Sequence, residues 1–189
     1  YLSISNENAE LLDAGGLWGK SVWETEDRLR ESCGDPFVRV ASIGRAGENG
    51  VLFAGVINDK DRAAGRSGVG AVMGSKNLKA VVVRGTVGVK VDNPNAFKKA
   101  ANAARKVLAE NAVTGEGLPT YGTQVMMNIV NETGALPTRN AGDSQFDGAS
   151  KISGEAMLEK RAGDGKPHTV STKGCYGCPI VCGRVSQMD

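Results

Sequence analysis

The sequence predicts an α+β chain, β-rich up to residue 88 and mainly helical from residue 92. Three observations predict it. Stretches rich in β-branched and aromatic residues, "PFVRVASIG" (36–44), "GVLFAGVIN" (50–58) and "KAVVVRG" (79–85), alternate with glycine bursts in the first half. "DNPNAFKKAANAARKVLAENA" (92–112) then opens a run of helical patterns. The composition changes between 88 and 92, so one domain is expected over 1–88 and a second over 92–189.

In chain order, residues 1–34 read as two short helices broken at Gly15 and Gly16. The second has a capping box, Ser21 with Glu24, and a stop at Gly34; Trp23 and Leu29 are expected to face inward. Within 36–44, Val38, Val40 and Ser42 share one strand face, and Phe37, Arg39, Ala41 and Ile43 the other. "GRSGVGAVMGSKNL" (65–78) reads as a glycine turn leading into a short helix. The helix at 92–112 starts at Asp-Asn-Pro and sets Phe97, Ala100, Ala104 and Leu108 on one face. "TQVMMNIVNETG" (123–134) reads as another, capped by Thr123 and stopped by Gly134. "ALPTRNAGDSQFDGASK" (135–151) reads as a long irregular loop and "SGEAMLEKRAG" (153–163) as a short helix.

The chain has 189 residues, 40% hydrophobic and 23% charged, enough for a buried core. A net charge of +2 leaves no footprint for nucleic acid or an acidic membrane surface. No apolar run approaches the roughly 18 residues of a membrane span. The opening YLSISNENAELL carries neither an initiator Met nor a signal-peptide pattern, and the last residue follows closely on a cysteine cluster. Both ends read as cut, so the chain is expected to be an internal piece of a longer polypeptide.

Cys175, Cys178 and Cys182 stand within eight residues at C-x2-C-x3-C spacing. Such short loops strain disulfide geometry, which favours a reducing, cytoplasmic setting and a bound metal. Thiolates bind zinc or iron, and C-x2-C places two sulfurs on one tight turn. Gly177 and Gly183 let the backbone fold around a centre, and Pro179 stiffens the exit from the turn. A structural zinc site is one reading, although the second cysteine or histidine pair it usually employs is missing and His168 reads as a surface residue. Three close cysteines with a distant fourth is the pattern of a [4Fe–4S] cluster. Cys33, at a helix end, reads as a free thiol, so the fourth ligand is expected beyond Asp189.

"DKDRAAGRSGVGAVMGSKNLKA" (59–80) sets glycines at 65, 68, 70 and 74 among Arg62, Arg66 and Lys76. Main-chain N–H groups at a helix start and bidentate arginines both suit phosphate, so an anionic ligand is expected. The dinucleotide fingerprint fits badly: the third glycine, Gly74, comes one residue late, and Arg84 stands where an acidic residue would end the next strand. A purely structural glycine turn is the alternative.

"GRAGENGVLFAGVINDKDRAAGRSGVGAVMGSKNLKAVVVRGT", followed in order by "TYGT" (120–123), "GALPTRN" (134–140) and "CYGCPIVCGR" (175–184), resembles the tungsten-containing aldehyde ferredoxin oxidoreductase family over nearly the whole chain. The resemblance implies that the region before 88 ends a β-rich pterin-base domain and that residues from 92 begin a helical domain. Carried over by position, Arg62, Ala63, Gly65 and Arg66 would contact a tungsten-bispterin cofactor. Cys175, Cys178 and Cys182 would supply three ligands of a [4Fe–4S] cluster, with the fourth outside this chain. "DAGGLWGK" (13–20) resembles a further family pterin motif in wording but not in position, and reads as a helix end.

The resemblance further implies oxidation of an aldehyde to a carboxylic acid, with electrons leaving to ferredoxin or an electron-transfer subunit, by an oligomeric full-length protein. The isolated piece is expected to be inactive. The dithiolene sulfurs of the pterin would bind molybdenum as well as tungsten. Related tungsten subunits that reduce aromatic thioesters are an alternative within the family. A zinc-stabilised interaction module without chemistry is an alternative outside it, and a nucleotide-binding protein a weaker one. Arg184, just past Cys182, is a candidate to tune the cluster or to bridge it to the pterin, against the reading of a solvated arginine. Tyr121, Thr138, Arg139 and Asn140 either line a substrate channel or tie a loop.

Overall fold

A computed structural model describes residues 1–187, in two compact units, Tyr1–Lys90 and Val91–Asp189. Helices and strands mix in the α+β manner expected. Among the described residues no helix is long and apolar enough to cross a membrane.

The first unit is built on a six-stranded sheet. Strands β1 (Leu2–Ser5) and β2 (Asn8–Leu11) form an antiparallel hairpin where the sequence suggested a helix. The turn passes through Asn6 at φ 53°, a left-handed conformation that asparagine tolerates. What stabilises the strand conformation is remote in sequence: β1 lies parallel to β6 (Ala80–Arg84), Leu2 opposite Val81. The full order is β2-β1-β6-β3-β4-β5, with β3 (Arg39–Ser42), β4 (Val56–Asn58) and β5 (Arg62–Ala64) antiparallel in succession. β5 is therefore an edge strand, reached by a turn in which Asp59 and Lys60 both take positive φ. Only residues 56–58 of the stretch expected as a strand over 50–58 pair in the sheet; Leu52 and Phe53 lie in an irregular turn and are exposed.

Helix α1 (Val22–Cys33) begins at the Ser21–Glu24 capping box and ends at Gly34, left-handed at φ 61°. Its Leu29 enters the core with Leu17, Val38, Val40, Ala80 and Val82. Trp23, expected to face inward, is 58% exposed, since the buried stripe of α1 runs through Val22, Thr25, Glu26 and Leu29. Two short helices, α2 (Arg45–Glu48) and α3 (Val69–Ser75), pack on each other through glycines. A Cβ on Gly74 would lie 1.8 Å from Gly47 O, and one on Gly70 would lie 2.4 Å from Gly55 O.

The second unit opens with α4 (Pro94–Glu110), capped by Asn93, whose side chain accepts from the Ala96 N–H at 3.0 Å. None of its residues is buried; Phe97, on the expected apolar face, is 61% exposed. A π turn (Ala112–Gly117) leads to α5 (Leu118–Tyr121), a 3-10 turn (Gly122–Val125) and α6 (Met126–Glu132). Thr123 thus lies inside the 3-10 turn rather than capping a helix. The loop after Gly134 reverses at Arg139, Asn140 and Ala141, all at positive φ. A 3-10 turn at Ala149–Ile152 closes the loop, and a second, Ala156–Leu158, is among the described residues the only helical turn within the helix expected over 153–163. A second hairpin, β7 (Thr169–Lys173) with β8 (Gly183–Ser186), encloses the cysteine segment, Lys173 opposite Gly183.

Candidate cofactor-binding sites

The four residues expected at the pterin lie on and just after the edge strand β5. Ala63 pairs with Ile57 and leaves its methyl exposed, as does Ala64. Arg62 is half-buried, and its Nη2 is a buried nitrogen with no hydrogen-bond partner among the described residues. A guanidinium N–H shut away from water without an acceptor is costly, and an anion would remove that cost. Arg66 and Lys76 are exposed.

The glycines divide by what surrounds them. Gly68, Gly70 and Gly74 are buried, and their missing side chains make room for the protein's own backbone. Gly68, at φ 69°, also precedes α3, and a Cβ there would lie 1.9 Å from Leu52 O. Packing accounts for these three. Gly65 differs: a Cβ on it would meet nothing nearer than the Ala63 methyl at 4.0 Å, and its φ is not in the left-handed region. Among the described residues nothing requires a glycine there, whereas close approach of a ligand to the backbone does. The edge at 62–66 therefore fits an anionic cofactor, with Arg62 as the group lacking a partner and Gly65 as the open stretch of backbone.

In the second unit the cysteines occupy the loop between β7 and β8. The Cys178 N–H donates to Cys175 O at 3.0 Å, closing the C-x2-C turn, with Gly177 at φ 69°. Cys175 is exposed, Cys178 and Cys182 are half-buried, and all three are free thiols. The backbone fits a thiolate-held centre: a closed turn, a glycine in the left-handed region and sulfurs that a metal can reach. Among the described residues no three His, Cys, Asp or Glu side chains are yet gathered as a ligand set. Cys33 is exposed at the end of α1 in the first unit. His168 faces Gln187 O, 3.2 Å from its Nδ1.

Arg184 is not a solvated side chain. Its Nη1 donates to Val181 O and Gly183 O, both at 2.8 Å, and its Nη2 to Leu118 O at 2.9 Å and to Pro119 O. Thr138 and Arg139 tie their own loop, through Leu136 O at 2.9 Å and Asp143 at 2.7 Å. Sequence reasoning missed the buried Lys79, whose ammonium donates to Lys20 O at 2.9 Å, Ile43 O at 2.7 Å and the Glu48 carboxylate. Glu48 in turn accepts the Gly19 N–H at 2.9 Å, so the "DAGGLWGK" segment ends in a turn held by that carboxylate. The sequence carries no signal for this, since a lysine before a strand reads as a surface residue.

Comparison with known proteins gives a consistent picture. Residues 1–85 match the family profile described as aldehyde ferredoxin oxidoreductase, N-terminal domain, and residues 99–189 match domains 2 and 3 of the same family. The chain is 50% identical over its whole length to a tungsten-containing aldehyde ferredoxin oxidoreductase of Pyrococcus abyssi and 46% identical to that of Pyrococcus furiosus. It spans 30% of the length of each. A 100-residue match, 39% identical, links it to the WOR-like subunit of an aliphatic sulfonate oxidoreductase of Pyrococcus furiosus, covering 46% of this chain and 16% of that one. Among solved structures, the active-site complex BamBC of benzoyl coenzyme A reductase superposes with a TM-score of 0.73 at 29% identity, over 100% of this chain and 29% of the other.

Proposed function

As this chain belongs to the aldehyde ferredoxin oxidoreductase family, we propose that it is part of a tungstopterin and iron–sulfur enzyme that oxidises aldehydes to carboxylic acids. In this reading residues 1–88 contribute to the pterin base, and residues from 92 begin the domain that carries the cluster cysteines. The observation that carries it is the β5 edge, where the buried Arg62 Nη2 lacks an acceptor beside an unobstructed Gly65.

Arg62 and Arg66 neutralise the phosphate charge of the pterin, and Gly65 lets the backbone come close to it. Ala63, on the same edge, adds a small surface that does not obstruct the approach. Cys175, Cys178 and Cys182 hold three irons of a [4Fe–4S] cluster, and the fourth thiolate comes from outside these residues. When bound, the metallopterin supplies the two-electron oxidation and the cluster the one-electron exit to ferredoxin or a partner subunit. The setting is the reducing cytoplasm, where thiols stay free to ligate.

The test is anaerobic expression of the full-length protein with tungstate, followed by metal analysis and aldehyde-dependent reduction of a low-potential dye. Tungsten and about four irons per chain, with aldehyde-dependent turnover, are the expected result; zinc without iron, or no turnover, overturns it. Reduction of aromatic thioesters is the second reading, favoured by the likeness to the benzoyl coenzyme A reductase complex. The higher identity to the aldehyde enzymes, 50% against 29%, supports taking the aldehyde reaction as the first reading.

A further inference from the structure

Arg184 holds the peptide on each side of the third cysteine. Its Nη1 reaches the carbonyls of Val181 and Gly183, the two residues that flank Cys182, at 2.8 Å each. Its Nη2 reaches back to the carbonyls of Leu118 and Pro119 in α5. One planar guanidinium thus fastens the cysteine loop to α5 through four acceptors, none of which carries a formal charge. Gly122, immediately after α5, completes the fit. It sits at φ 69°, and a Cβ on it would lie 2.7 Å from Cys182 O and 3.1 Å from Arg184 Cγ. Val181, at φ 51°, is held in a conformation that β-branched residues rarely adopt, so the fork also maintains a strained bend next to the sulfur.

Arg184 retains one donor that these acceptors do not satisfy. Among the described residues the hydrogen-bond partners of Arg184 are main-chain carbonyls and not carboxylates, and its Nε is buried without a partner. A half-buried cation without a counter-ion is unfavourable by itself. It becomes favourable when negative charge lies close by, and a cluster held by thiolates is such a charge, growing by one unit on reduction. Resting on the cluster reading above, we infer that Arg184 is a positioning residue that fixes the Cys182 end of the loop and whose fixed charge raises the reduction potential of the cluster. Charge and hydrogen bonding around the sulfurs are the means by which proteins set such potentials.

The experiment is an anaerobic redox titration of the full-length protein, followed by the electron paramagnetic resonance signal of the reduced cluster, with Arg184→Gln and Arg184→Lys beside wild type. Arg184→Gln is expected to shift the midpoint to a more negative value. Arg184→Lys keeps the charge but lacks the planar fork, so it is expected to stay near the wild-type midpoint and to lose iron faster to a chelator. A purely structural arginine would change iron retention in both variants and the midpoint in neither. An unshifted midpoint in an Arg184→Gln protein that retains its signal overturns the inference alone. If Arg184→Gln holds no iron, the lysine variant decides: a midpoint in Arg184→Lys well below that of wild type, although the charge is kept, overturns the role of charge. A wild-type protein with iron absent overturns the cluster reading itself.

Discussion

Lys79 and Glu48 form an ion pair closed off from solvent, the lysine side chain fully buried and the glutamate 5% exposed. The ammonium also donates to Lys20 O and Ile43 O, and the carboxylate accepts the Gly19 N–H. Three parts of the first unit thus meet at one charge pair: the turn before α1, the helix α2 and the start of β6. Removing one partner strands the other in a site without water. Lys79→Met or Glu48→Leu alone is expected to cost about 3–5 kcal/mol. The double substitution is expected to recover much of that loss. Urea unfolding of the full-length protein measures it, and single variants as stable as wild type would contradict the buried pair.

The two glycine environments predict opposite behaviour. Gly74→Ala drives a methyl into Gly47 O, a rigid backbone atom, and is expected to destabilise by at least about 1–3 kcal/mol. Gly65→Ala meets open space, so its stability is expected to stay within about 0.5 kcal/mol of wild type. It is nevertheless expected to lower the tungsten content, because the methyl occupies the cofactor's approach. Thermal melting and metal analysis of the same two preparations separate these effects.

What the sequence revealed and what it hid follow from how local each feature is. The Ser21–Glu24 box and the Gly34 stop depend on residues within one helix, and both stand as expected. The β1–β2 hairpin reads as helix in the sequence because β1 is held by β6, nearly eighty positions away, and local propensity carries no trace of that pairing. The glycine pattern at 65–74 marked a tight backbone, but spacing alone does not tell which glycines face the protein's own carbonyls and which face outward. Arg184 was visible as a charge beside Cys182, whereas its acceptors Leu118 and Pro119 lie 66 and 65 residues away. The β7–β8 hairpin leaves little local trace, because Thr169–Lys173 is short and its partner, Gly183–Ser186, lies beyond the cysteine segment.

Asp35 gives the first unit a dependence on acid. Its carboxylate accepts from Arg84 Nε at 2.5 Å and from the Phe37 N–H at 2.7 Å, and the arginine also lies over the Phe37 ring, 5.6 Å from its centre. The Arg84 hydrogen bond, and then the Phe37 N–H, hold the Asp35 carboxyl below the usual carboxylate range. A carboxyl depressed in the folded state stabilises above its unfolded value, near about 3.9, and the contribution is lost as pH falls through the lower folded value. Wild type is therefore expected to melt above Asp35→Asn at pH 5 to 7, and the difference to shrink steadily below about pH 4. A gap that persists undiminished in acid would mean that the charge of Asp35 is not its source.

Arg62 provides the most direct test of the cofactor edge. Its Nη2 has no partner among the described residues, so replacing it removes no hydrogen bond seen at that atom. Arg62→Met is accordingly expected to leave the melting temperature of the cofactor-free protein nearly unchanged. Loss of one charge-assisted hydrogen bond is worth about 1.5–3 kcal/mol, or roughly a 10- to 100-fold weaker hold on an anionic pterin. Arg62→Lys restores the charge as a point rather than a fork, and is expected to fall between the two. Iron content should not follow, because the cysteines belong to the other unit. Tungsten retained in full by Arg62→Met through gel filtration would mean that the guanidinium holds no cofactor phosphate, and the edge at 62–66 would revert to a structural turn.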